Sequence, residues 1–186
     1  NIYIHYKTNK PLRYFNDYKL QNNIETRWGG ISIVLAQNML LKEALKDPLN
    51  QHFIFLSQSC IPIKTFNYVY NTLDTSKSYF NLMINKITSM EISRPLLKYF
   101  DKKDIQKASQ WCILNRKHSE IIIQQEGFIR DSFHKSSIIN HKLNKNIKYA
   151  MDEIVYLTLL YHLKLNEELI ITNNIRLGAT TIAQWT

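Results

Sequence analysis

The sequence predicts an α/β layered fold in one domain, residues 1–186, with a mostly parallel sheet. Two observations carry this. Short β-branched and aromatic runs alternate with segments of helical period. One run, residues 52–56, is nearly continuously apolar, as a strand covered on both faces would be. A hydrophobic fraction of 45% over 186 residues is enough to build one core.

Taken in order, residues 2–6 read as a strand ended by Pro11. Residues 31–46 place apolar side chains at 31, 34, 35, 41, 44 and 45, an amphipathic helix entered through Gly29-Gly30 and stopped by Asp47-Pro48. After the 52–56 strand, Thr65 is suited to cap a short helix reaching Leu73. Residues 79–84 and 110–114 read as strands, and 116–125 as a helix. Residues 131–150 are polar and irregular. Asp152 is expected to cap a helix over 153–163, and late strands are expected at 168–172 and 180–185. In a parallel sheet, ligands sit beyond the carboxyl ends of the strands. That rule singles out Lys7, Ser57-Gln58-Ser59 and Asn115-Arg116.

Composition removes several classes. With 4 Gly and 4 Pro the chain is not collagen-like or linker-rich, and its longest apolar runs are far too short to span a bilayer. A net charge of +9 suits an anionic partner (nucleic acid, membrane surface or phosphorylated ligand) and equally suits plain solubility. The lysines are scattered, and the densest basic stretch, 141–148, reads as a solvated loop or a phosphate contact. A nucleic-acid partner rests on charge alone and is not expected. Cys60 and Cys112 lack metal-site spacing and read as buried free thiols, which leans towards a reducing compartment. The chain opens without Met directly in a strand-like segment, so it is expected to be part of something longer.

No Walker loop, dinucleotide fingerprint, zincin helix or nucleophile elbow occurs. No D-x-D pair is present to hold a metal-bound sugar nucleotide. The most suggestive pair is Asp152-Glu153. Acidic residues are ordinary at a helix start, where free amides stabilise them. The same amides keep a carboxylate ready to take a proton from an alcohol. Ser57–Ser59 read as a turn or as hydroxyls for a nucleotide. Trp111 and Trp185 read as core anchors or sugar-stacking faces, and a lone strand histidine such as His5 is ordinarily a core or surface residue.

Together these segments resemble the core-2/I-branching N-acetylglucosaminyltransferases, in particular their plant-type branch. Ile2-Tyr-Ile-His5 resembles the family's His strand, and Trp28-Gly29-Gly30-x-Ser32-x-Val34-x-Ala36 its next helix. Phe53-Ile-Phe-Leu-Ser-Gln-Ser-Cys-Ile-Pro62 is similar to the F-x-L-L-S-E-S-C-I-P-L block, the most specific match. Ala108-Ser-Gln-Trp-Cys-Ile-Leu-Asn-Arg-Lys-His118 is similar to G-S-Q-W-x-x-L-x-R-x-H. Met151-Asp-Glu-Ile-Val-Tyr-Leu-Thr-Leu-Leu160 is similar to P-D-E-x-Y-x-x-T-L-L, and Thr180–Trp185 to a T-x-x-D/K-W strand.

The resemblance implies a Rossmann-like nucleotide-sugar fold of the GT-A type and an inverting, metal-independent transfer from a UDP-sugar, with no cofactor, to a glycan or glycoprotein hydroxyl. Glu153 would be the base and Asp152 its orienting neighbour. His5, Lys7, Ser57, Ser59 and Arg116 would lie on the donor side, Trp111 and Trp185 on the acceptor side. Relatives are commonly Golgi proteins anchored through a segment that does not occur here; the thiols leave a cytoplasmic location open. Departures are the absent first strand and helix, Lys7 in place of a small or acidic residue, Met151 in place of Pro, and an end at Thr186 before the family's diphosphate-binding Arg and Lys. A non-catalytic sugar- or nucleotide-binding relative is the alternative.

Overall fold

Helix α1 (Ile31–Ala44) buries Ile31, Val34, Leu41 and Ala44 on one stripe, the burial its spacing predicts. It begins after Gly29, whose φ of 67° lies in the left-handed region that glycine adopts without strain. The computed structural model of the chain describes residues 1–8, 10–82, 94–134 and 150–172. Beyond α1 come strand β1 (His52–Ile54), helix α2 (Phe66–Thr72), strand β2 (Ser78–Asn81), strand β3 (Ile113–Asn115) and helix α3 (Arg116–Gln124). A short helix α4 (Glu126–Ile129) runs into a π-turn at Arg130–His134. A 3₁₀ turn at Met151–Glu153 then leads to helix α5 (Val155–His162) and strand β4 (Leu169–Thr172).

Local capping explains several boundaries. Thr65 Oγ1 accepts from the Tyr68 N–H at 3.3 Å and starts α2. Asn115 Oδ1 accepts from the His118 N–H at 2.8 Å and starts α3. Asp152 does not play the corresponding part for α5, contrary to the expectation. It lies within the 3₁₀ turn, Ile154 takes the capping position, and no side-chain cap forms.

Among the described residues four strands form one sheet in the order β1-β3-β2-β4. β3 pairs antiparallel with both β1 and β2, while β2 and β4 are parallel. The expected mostly parallel sheet is therefore corrected: two of the three pairings are antiparallel. The cause is one reversed strand between neighbours that share a direction. Strand β1 also departs from the expected two-sided burial. Phe53 and Phe55 point inward, whereas Ile54 and Leu56 are 43% and 61% exposed. Among the described residues it is an edge strand with one partner, β3, and one covered face. The expected strand at 2–6 contributes only an isolated bridge between Ile4 and Lys19. The expected strand at 180–185, with Trp185, lies outside the described residues, as does the whole basic stretch 141–148.

The core gathers Val34, Leu41, Phe80, Leu114, Ile122 and Phe133 around α5. Val155 to Leu160 are buried without a break, so α5 is covered on every side. Each large aliphatic side chain there contributes about 1.5–3 kcal/mol of transfer free energy. Among the described residues no helix is long and apolar enough to cross a membrane.

Candidate active site

The reversed strand decides what gathers at each sheet edge. Because β1 and β2 end where β3 begins, one edge collects the chain after Ile54, the end of β2 and the run leading into β3. The Ser109 N–H donates to the Asn81 carbonyl at 2.9 Å, and Ala108 bridges Leu82. The same run is tied to the start of α5. The Ala108 N–H donates to the Glu153 carbonyl at 2.8 Å. The Gln106 N–H donates to Thr158 Oγ1 at 3.0 Å, and that hydroxyl returns a bond to the Gln106 carbonyl at 3.1 Å. From the other side the Met151 N–H donates to the Gly29 carbonyl at 2.8 Å. Three motifs far apart in sequence, around Gly29, Ala108 and Asp152, thus meet at one turn.

Two carboxylates project from that turn with different surroundings. Glu153 is paired with Lys107, Oε2 to Nζ at 2.8 Å, and about a fifth of each side chain is exposed (23% and 19%). Asp152 is only 7% exposed, and its Oδ1 is buried without a hydrogen-bond partner among the described residues. Burial, reinforced by the Glu153 charge, pushes the Asp152 carboxyl up to about 6. Both acids line a narrow crevice with Phe80, Ala108, Ser109, Gln110, Cys112, Tyr156 and Leu157. Its free space of about 10 Å³ is room for about one water molecule. Burial raises the Cys112 thiol to about 12, so it stays protonated. Trp111 is half-buried against the core just outside the crevice.

Other expected residues lie elsewhere. Ser57 and Ser59 belong to the turn after β1. Ser57 Oγ lies 3.3 Å from Cys60 Sγ and accepts from the Ser59 N–H at 3.2 Å. His5 Nε2 accepts from the Ile24 N–H at 3.1 Å, which puts its proton on Nδ1, and burial lowers its basicity. Lys7 is exposed. None of these lines the carboxylate crevice. Arg116 follows β3 and so sits at the opposite sheet edge. The strand-end argument for Asn115-Arg116 is corrected by the direction of β3. The Arg116 guanidinium donates to the carbonyls of Leu45, Asp47 and Asn50 at 2.9–3.1 Å and pairs with Glu120 at 3.0 Å.

Lys107 is the charged neighbour that sequence reasoning left without a role. Only its place directly before Ala108-Ser-Gln-Trp marked it, and nothing local linked it to Glu153. A second polar chain runs from Ser78 Oγ through His118 to Glu168, with contacts of 2.7 and 3.1 Å. Ser78 and His118 are fully buried, so this chain staples β2 and α3 to the turn before β4, where Glu168 is a third exposed and also pairs with Lys117.

Against known proteins, a 113-residue stretch is 33% identical to "Glycosyltransferase BC10" of Oryza sativa subsp. japonica. That stretch is 61% of this chain and 28% of the relative, so the chain corresponds to well under half of that protein. The model of the Core-2/I-Branching enzyme family matches residues 1–186, with Asp152, Glu153 and Lys107 inside the match, and the chain belongs to that family.

Proposed function

We propose that the chain carries the catalytic carboxylate of an inverting, metal-independent glycosyltransferase. The donor is a UDP-sugar, with N-acetylglucosamine the first candidate, and the acceptor is a hydroxyl of a glycan or protein. One observation carries the reading. Glu153 is a partly exposed carboxylate at the sheet edge where β1 and β2 end, held from behind by backbone bonds and beside a cation. A base must be held in place and reachable, and the backbone bond behind Glu153 and its partial exposure support that reading.

In the proposed step the acceptor O–H gives its proton to the Glu153 carboxylate. The oxygen's electron pair forms a bond to the anomeric carbon, and the bond to the diphosphate breaks with its pair leaving on UDP. Attack opposite the leaving group turns an α-linked donor into a β-linked product. Asp152, whose carboxyl is raised to about 6, flanks Glu153 on the same turn and is assigned the orienting part. His5, Lys7, Ser57 and Ser59 are assigned to the donor side, and Trp111 and Trp185 to the acceptor side. For these six, family resemblance is the support.

Glu153→Gln in the full-length protein is expected to lower transfer by about 10²–10⁴-fold, while UDP binding measured by calorimetry stays within about threefold, a change of under 1 kcal/mol. Transfer at near wild-type rate would remove the base assignment.

A further inference from the structure

We propose that Lys107 is the positioning residue of the catalytic base: its ammonium holds the Glu153 carboxylate in one place and balances its charge beside a second acid. The inference rests on the reading of Glu153 as the base.

The geometry around the pair is over-determined. Lys107 lies between Gln106 and Ala108, and both flanking residues are tied to the α5 region. Gln106 exchanges two bonds with Thr158, and the Ala108 N–H is bonded to the Glu153 carbonyl. The two backbones are therefore fixed relative to one another before the side chains meet, and the 2.8 Å ion pair spans a set gap. A surface pair between two long side chains loses much of its value to side-chain entropy and to water. Here the backbone bears part of the ordering, and each side chain is about four-fifths covered.

A counter-charge is needed at this position. Asp152 and Glu153 are consecutive, and the charge on Glu153 already helps to disfavour ionisation of Asp152. Without a cation the two acids would share a proton over a wide range, and a proton on Glu153 would abolish its use as a base. The other titratable groups on the crevice are Cys112, from the run entering β3, and Tyr156, from α5. Burial raises both, so they stay neutral. Lys107 is thus the one cation in contact with the pair among the described residues.

The position also argues against a role at the leaving diphosphate. In an in-line displacement the base lies behind the attacking oxygen, about 3 Å from it, and the anomeric carbon is about 3 Å further on. The leaving oxygen is beyond both. A cation in contact with the base is on the acceptor side of the reaction.

The test follows carboxyl carbon-13 signals in the full-length protein across pH, with Asp152→Asn and Glu153→Gln providing assignments. In Lys107→Met the Glu153 signal is expected to titrate at higher pH than in the wild type, and Lys107→Arg is expected to restore it. With UDP-N-acetylglucosamine as donor, Lys107→Met is expected to lose about tenfold in kcat/KM at the acidic end of the profile and to recover to within about threefold at the alkaline end. An unmoved Glu153 signal, or a profile lowered equally at all pH, overturns the role of Lys107 and leaves the base intact. Unimpaired transfer by Glu153→Gln overturns the base itself, and the positioning role with it.

Discussion

Adjacent residues of one kind acquire different properties through a few ångströms of environment. Asp152 and Glu153 are both carboxylic acids on one 3₁₀ turn, yet only Asp152 is buried, and it is raised to about 6. The effect on stability has a definite sign. The native state holds this proton more tightly than the unfolded chain, whose value is 3.8. Stability is therefore undiminished below about 3.8, falls as pH rises from there to about 6, and stays reduced above. Asp152→Asn is expected to be more stable than the wild type at pH 7.5 by about 1–3 kcal/mol, and equal to it near pH 3.5. Urea titrations at the two pH values check this. An equal difference at both would show that the substitution acts through packing. His118 works in the opposite sense. Its burial lowers its basicity, so the fold loses stability as pH falls below the ordinary histidine value of 6.5. From sequence, the Asp-Glu pair was legible as an acidic helix start with two open readings, but which acid is covered depends on Phe80, Cys112 and Leu157, from other parts of the chain.

Single elements were legible where their cause is local. Helix α3 was expected over 116–125 and occurs at Arg116–Gln124, because Asn115 caps it and apolar Ile122 falls on its inner face. Helix α1 ends as Asp47-Pro48 dictates. What local pattern did not reveal is how these elements hold one another. Arg116, the first residue of α3, reaches back to three carbonyls just past α1 and before β1. Of these, the Leu45 carbonyl belongs to the C-cap of α1 and would otherwise lack an intrahelical partner. Arg116→Met is expected to destabilise the fold by about 2–4 kcal/mol, since several charge-assisted bonds are lost together. Arg116→Lys should recover less than half of that, because one ammonium cannot reproduce a planar fork of donors. Urea unfolding of the two variants measures both. A loss below about 0.5 kcal/mol in Arg116→Met would mean that water replaces the clamp.

At the scale of the whole molecule, stability is unevenly distributed. Helix α5 buries six consecutive residues, whereas α2 buries none and leaves Phe66 and Tyr70 more than two-thirds exposed. Opening free energy follows burial. Backbone amides of α5 are expected to exchange with deuterium at the slowest rate in the chain, near the limit of global unfolding, and those of α2 orders of magnitude faster. Hydrogen exchange followed by mass spectrometry over peptides 65–73 and 155–163 reads this directly. Equal protection of the two would mean that another surface covers α2 in solution.

By itself the sequence determined the mixed α/β class, the approximate extent of the main helices and the family, and it marked Asp152-Glu153 as an acidic pair, because periodicity, caps and contiguous motifs are written within a few neighbouring residues. Tertiary structure alone decided the direction of β3, and with it that Ala108 and Glu153 share an edge while Arg116 occupies the other. It also decided that Lys107 meets Glu153. Strand direction and the pairing of distant charges follow from how separate segments satisfy each other's backbone bonds and cover a common core, and no window of local sequence contains both partners.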